Sequence, residues 1–111
     1  MKGFESMSIE KKIKYIRANT TVEESLIQIA EECNELSGAI LKFIRKKYGS
    51  PTPKTDDEIV LDIIEELTDV IICLEVGGGL FFNEDIYKKK IKRWSNRLKD
   101  VVNGNTWREI V

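Results

Sequence analysis

The chain contains no histidine. That excludes a histidine general base, a serine-histidine-aspartate triad and the Glu-x-x-His iron sites of ferritin-like bundles. Hydrolytic chemistry here must rest on carboxylates, lysine, tyrosine, thiol or a metal-bound water. Cysteine is scarce as well. Cys33 and Cys73 form no CxxC pair, and a structural zinc site needs about four Cys or His ligands. Both are expected to be reduced thiols in the core. Proline occurs only at Pro51 and Pro53, within one expected loop. No apolar run approaches the roughly 20 residues of a membrane span. The opening MKGFESMSIEKKIK lacks the apolar run and small-residue cleavage site of a signal peptide. A cytoplasmic protein without membrane contact is expected.

What is present points to helices. A length of 111 residues with 41% hydrophobic and 33% charged residues suits a single domain over 1–111, with a core over about 8–102. Net charge is −1, yet its distribution is lopsided. Val22 to Leu41 carries five acids and no base, Thr55 to Tyr87 ten acids and no base, and Lys88 to Lys99 seven bases and no acid. Two acidic segments and one basic segment imply internal charge matching, or a shared ligand holding both metal and phosphate.

Ser8 is an N-cap for a first helix to about Ala18, after a loose stretch over 1–7. Thr21 with Glu24 has the form of a capping box and starts a second helix running to about Lys47. Leu26, Ile29, Ala30, Cys33, Leu36, Ile40 and Ile44 mark its core side. Tyr48 to Pro53 is a stop and loop, and Asp56 or Asp57 caps the third helix. That helix, with Ile59, Val60, Ile63, Ile64, Leu67, Val70, Ile71 and Leu74 at helical spacing, ends at Gly77-Gly78-Gly79. Leu80, Phe81 and Phe82 are expected to pack the end of the bundle. Asn83 caps a fourth helix from about Glu84 to Val102, with Ile86, Ile91, Trp94, Leu98 and Val101 on its apolar side. The tail from Asn103 to Trp107 is expected to turn away. Helices of about 18 residues, each near 27 Å long, with short connections make the expected fold all-α, an antiparallel four-helix bundle that self-associates.

The acids fall at an unusual place. Asp62, Glu66 and Asp69 stack along one line of the third helix, at the rim of its apolar stripe, where like charges repel. The second helix repeats the arrangement with Glu31, Glu32 and Glu35. Two such i, i+3 pairs facing each other supply about four oxygen ligands, a set suited to a hard divalent cation such as Mg²⁺ or Mn²⁺. Mg²⁺ usually keeps waters and borrows phosphate oxygens, which points to a polyphosphate substrate. Lys90, Arg93 and Arg97 lie on one face of the fourth helix, and such side chains suit phosphate recognition.

The motifs EECNE (Glu31 to Glu35) and EELTD (Glu65 to Asp69) resemble the EExxE and ExxD signatures of MazG-like nucleotide pyrophosphohydrolases, in the all-α NTP pyrophosphatase superfamily. Arg93-Trp94-Ser95-Asn96-Arg97-Leu98 is similar to the basic-aromatic, then arginine-apolar pattern of that family's last core helix. The resemblance covers about Thr21 to Leu98. It implies a homodimeric or homotetrameric helical bundle that splits a nucleoside triphosphate into monophosphate and pyrophosphate. By the same match Glu32, Glu35, Glu66 and Asp69 hold Mg²⁺, and Lys90, Arg93 and Arg97 contact phosphates. Glu31 binds a second metal or orients the attacking water. No base-recognition residue carries over. The competing reading is a non-catalytic helical module that binds metal or nucleotide, or only oligomerises. Nucleic acid is not an expected partner, because net charge is slightly negative and aromatics are not interleaved with the bases.

Overall fold

A computed structural model describes residues 2–103, and every regular element in it is helical. A short α1 (Lys2–Glu5) precedes α2 (Ile9–Ala18), α3 (Val22–Lys47), α4 (Asp56–Gly77), a 3-10 turn over Gly78–Leu80, and α5 (Glu84–Val102). The chain divides into two compact units, Met1–Leu80 and Phe81–Val111. Apart from Asn103, the tail expected to turn away lies outside the described residues.

Local chemistry sets the helix ends. The Ser8 hydroxyl accepts from the Lys11 amide at 3.2 Å and starts α2. Thr21 and Glu24 form a reciprocal capping box with both bonds at 3.1 Å. Thr55 and Glu58 form a second box at the start of α4. Thr55, not Asp56 or Asp57, is therefore the cap: its hydroxyl reaches the Glu58 amide, and the two aspartates fall in the first turn, beside the positive end of the helix. At the end of α3, Gly49 takes φ 92° while the Gly49 and Ser50 amides donate back to Lys46 and Arg45 carbonyls, a Schellman arrangement. The expected loose start is instead partly helical, as α1.

Within the first unit α3 packs against α4, and α2 against α4. Partners step in opposite directions along α3 and α4. Ser25 meets Gly77, Glu35 meets Glu66, and Lys46 meets Asp56. The α3 side of this seam runs Ser25, Ile29, Glu32, Leu36 and Ala39, at spacings of four and three, all buried or half-buried. The α4 side runs Ile59, Asp62, Glu66, Val70, Cys73 and Gly77 on the same rule. At its lower end the helices approach closely because Gly77 has no side chain: a Cβ there would lie 2.6 Å from the Ser25 Cβ. Arg17 ties α2 to the same end, donating from Nε to the Val76 carbonyl at 3.0 Å and from Nη2 to that of Glu75 at 2.6 Å. These are carbonyls a helix leaves open, and a cation suits that end.

The core is far smaller than the apolar pattern led one to expect. Buried apolar side chains among the described residues are Ala39, Ile59, Val70 and Val76. Leu26, Ile40, Ile44, Val60, Ile64, Leu67, Ile71 and Leu74 are exposed, as are Leu80, Phe81 and Phe82. Cys33 is exposed too, because it stands one residue off the seam, whereas Cys73, on it, is half-buried. In the second unit Trp94, expected on the apolar side of its helix, is 66% exposed. Phe82 and Tyr87 do stack there, with ring centroids 5.6 Å apart. No helix among the described residues is long and apolar enough to cross a membrane.

Candidate metal centre

Three charged residues occupy the α3–α4 seam at positions where apolar side chains are the norm: Glu32, Asp62 and Glu66. Helical spacing brings Glu35 up beside Glu32 from the next turn of α3. One carboxylate oxygen from each of Glu32, Glu35 and Glu66 lies within 4.8 Å of the others. Oε2 of Glu32 and Oε2 of Glu66 are both shielded from solvent and have no hydrogen-bond partner among the described residues. A buried oxygen without a donor costs free energy, and an ionised one costs more. A positive charge placed among the three carboxylates would offset that cost.

The electrostatics agree. The Glu32 carboxyl is held above the usual carboxylate range, first by burial, then by the negative charges of Glu35 and Asp69 and the closeness of the Glu35 carboxyl; a hydrogen bond from Gln28, at 3.4 Å, works the other way. Burial, with the charges of Glu32 and Asp69, likewise raises the Cys73 thiol, which is thereby kept protonated.

Of the sequence-predicted ligands, Glu32, Glu35 and Glu66 converge, and Asp69 is exposed and not among the three. Its charge is nonetheless felt at Glu32 and Cys73. Glu31 is exposed and also outside the converging set. In the second unit Arg93 and Arg97 line a shallow hollow on α5 with Lys89 and Lys92; Lys90 is not part of it. Asp62, the acid on the α4 line, has a positive partner: it accepts from Lys54 Nζ at 2.5 Å. Lys54 belongs to the loop between α3 and α4, so no helical periodicity announced it.

Three carboxylates on two helices, with an oxygen of each within 4.8 Å of the others, are a donor set that could hold a hard divalent cation. Oxygens opposite one another around Mg²⁺ stand about 4.2 Å apart, from ligand distances near 2.1 Å, so a spread of 4.8 Å is within a small side-chain adjustment. Two cavities flank the cluster. One, of about 310 Å³, lies toward the α2 side and is lined by Ile16, Thr20, Gln28, Ile72, Cys73 and Val76 among others. The other, of about 420 Å³, includes Glu35 and Glu66 in its own wall and adds Asn34, Lys42, Lys54 and Asp62.

No family model, curated protein or solved structure matches this chain. The functional reading therefore rests on the residues and the geometry above.

Proposed function

We propose that the chain is a Mg²⁺-dependent nucleoside triphosphate pyrophosphohydrolase, with Glu32, Glu35 and Glu66 as the cation ligands. The observation that carries this is the convergence of three carboxylates in a helix seam, two with shielded oxygens that lack a donor among the described residues. Resemblance of the Glu31–Glu35 and Glu65–Asp69 motifs to MazG-like enzymes supports the same reaction class. In the proposal Asp69 closes the ligand set through the flexibility of its exposed side chain, and Mn²⁺ substitutes for Mg²⁺.

The bound cation supplies charge neutralisation and a ready nucleophile near neutral pH. The chain's own residues do the rest. The seam carboxylates fix the position of the triphosphate relative to α3 and α4, and positioning with charge neutralisation is most of what phosphoryl transfer requires. Water attacks the α-phosphorus, the bond from that phosphorus to the α,β-bridging oxygen breaks, and pyrophosphate leaves. Glu31 is the proposed acceptor of the water's proton. The absence of histidine is no obstacle to this chemistry. The apolar cavity beside Gln28 has the size and character to take a nucleoside. Lys90, Arg93 and Arg97 remain proposed phosphate contacts.

The same reading includes assembly. Many large apolar side chains on α3 and α4 are exposed, and contiguous exposed apolar surface marks interaction sites. An antiparallel four-helix bundle completed within a homodimer or homotetramer, in the cytoplasm, is the arrangement proposed. The test is direct: purified protein, Mg²⁺ and a panel of ribo- and deoxyribonucleoside triphosphates, with pyrophosphate assayed. Absence of turnover for every triphosphate ends the proposal. Binding without turnover would favour the non-catalytic module instead.

A further inference from the structure

Two lysines line the polar cavity beside the cluster. Lys42 projects from α3, two turns beyond Glu35, and Lys54 from the loop that leads into α4. Gly38 lies on the same wall, and a Cβ added there would meet nothing within 4 Å, so the space is open. The backbone of Lys54 is pinned. Its carbonyl accepts from Lys46 Nζ at 2.7 Å, while Lys46 also pairs with Asp56 at 2.9 Å. Its amide donates to the Thr52 hydroxyl at 3.3 Å. What remains free to move is the long flexible stem, whose ammonium rests on Asp62.

From this arrangement we propose that Lys42 and Lys54 form a polyphosphate subsite, taking the pyrophosphate end of the substrate, and that Asp62 holds Lys54 in place until that anion arrives. The inference rests on the hydrolase reading of the adjoining carboxylates. Charge explains why the subsite waits for a cation. Glu35, Asp62 and Glu66 share the cavity wall with the two lysines, three carboxylates against two ammoniums, so a bare anion is repelled. A divalent cation on the glutamates removes that deficit, and phosphate oxygens then compete with Asp62 for the Lys54 ammonium. The subsite also gives the substrate a direction. Along α3 the order is Gln28, Glu32, Glu35, Lys42, a span of about 21 Å at 1.5 Å per residue. Nucleoside, scissile phosphate and departing pyrophosphate follow one another along that line.

The experiment is calorimetric titration of the full chain with inorganic pyrophosphate, with and without Mg²⁺, alongside a titration with Mn²⁺ alone. Pyrophosphate is expected to bind only with Mg²⁺ present. Lys54→Met and Lys42→Met should each weaken it about tenfold while Mn²⁺ binding stays within twofold. Lys54→Arg, which keeps the charge, should bind within about threefold of the parent chain, and unchanged affinity in Lys42→Met overturns the subsite if Lys54→Met fails to fold. Asp62→Asn should tighten pyrophosphate on the order of threefold, an effect that vanishes in the Lys54→Met background. Unchanged affinity in Lys54→Met overturns the subsite. So does an Asp62→Asn variant weakened as much as Lys54→Met, since the pair is then only a structural clasp, and so does a parent chain that takes Mn²⁺ but no pyrophosphate. Lysine-dependent pyrophosphate binding with no turnover of any triphosphate refutes the hydrolase reading and leaves the subsite standing.

Discussion

Glu32 on α3 and Glu66 on α4 face each other across a helix seam, and the Oε2 of each is shielded from solvent and has no donor among the described residues. An apolar pair there would pack at no electrostatic cost, so the two acids destabilise the metal-free chain. Melting curves should show it. Mg²⁺ or Mn²⁺ at roughly a hundred times its Kd is expected to add about 2.7 kcal/mol of stability. Glu66→Gln should melt higher than the parent chain without metal, because repulsion is relieved, and should gain almost nothing when metal is added. A Glu66→Gln variant that keeps the metal-induced shift contradicts the ligand assignment.

The raised Glu32 carboxyl gives a signed pH dependence. The folded chain holds this proton more tightly than the unfolded chain, so the stability it contributes is fully present below the unfolded carboxylate value and is lost as pH rises through the higher folded value. Metal-free protein should therefore lose stability on raising pH through that window, and Mg²⁺ affinity should rise over the same range as the proton is displaced. Glu24, lowered by its bonds to Thr21, acts in the opposite sense. Subtracting the profile of Glu32→Gln isolates the Glu32 contribution. A difference profile that is flat or of opposite slope contradicts the assignment.

Gly77 against Ser25 offers a test of the seam alone. Alanine at this position places a Cβ at 2.6 Å from the Ser25 Cβ and 2.8 Å from its Oγ, neither at the far end of a flexible side chain. The helices must part, at a cost of about 1–3 kcal/mol, in spite of the better helix propensity of alanine. Denaturant unfolding of Gly77→Ala should show that loss, and Ser25→Gly in the same chain should restore much of it.

The helix ends and the acidic motifs were legible because both are local. A cap is decided within three residues, and an i, i+3 pair shares a helix face whatever lies beyond it. Thr55 was missed because Asp56 and Asp57 are equally good capping types, and only the reach of its hydroxyl to Glu58 decides between them. Lys54 was missed because its meeting with Asp62 depends on the path of a loop. Periodicity marked Ile64, Ile71 and Leu74 as apolar but carried no information on whether anything covers them. The distinction between Glu32, on the seam, and Cys33, one step off it, appears only once the partner helix is in place.

Those uncovered side chains carry their own prediction. Ile71, 55% exposed, and Ile64, 54% exposed, stand seven residues apart on α4. Sedimentation should give a species larger than one chain, with a melting temperature that rises with protein concentration. A charge at Ile71, as Ile71→Glu, should shift the chain toward monomer if this face is the interface, whereas Thr52→Glu in the exposed loop should not.

The central claim is that triphosphate hydrolysis at the α-phosphorus depends on the Glu32, Glu35 and Glu66 cluster. Turnover of the best triphosphate in heavy-oxygen water, followed by phosphorus NMR, reads both parts at once. Label is expected in the nucleoside monophosphate, with unlabelled pyrophosphate as the other product, and Glu66→Gln should slow the reaction on the order of a hundredfold or more. Label in the pyrophosphate or in inorganic phosphate, or a Glu66→Gln rate equal to that of the parent chain, would contradict it.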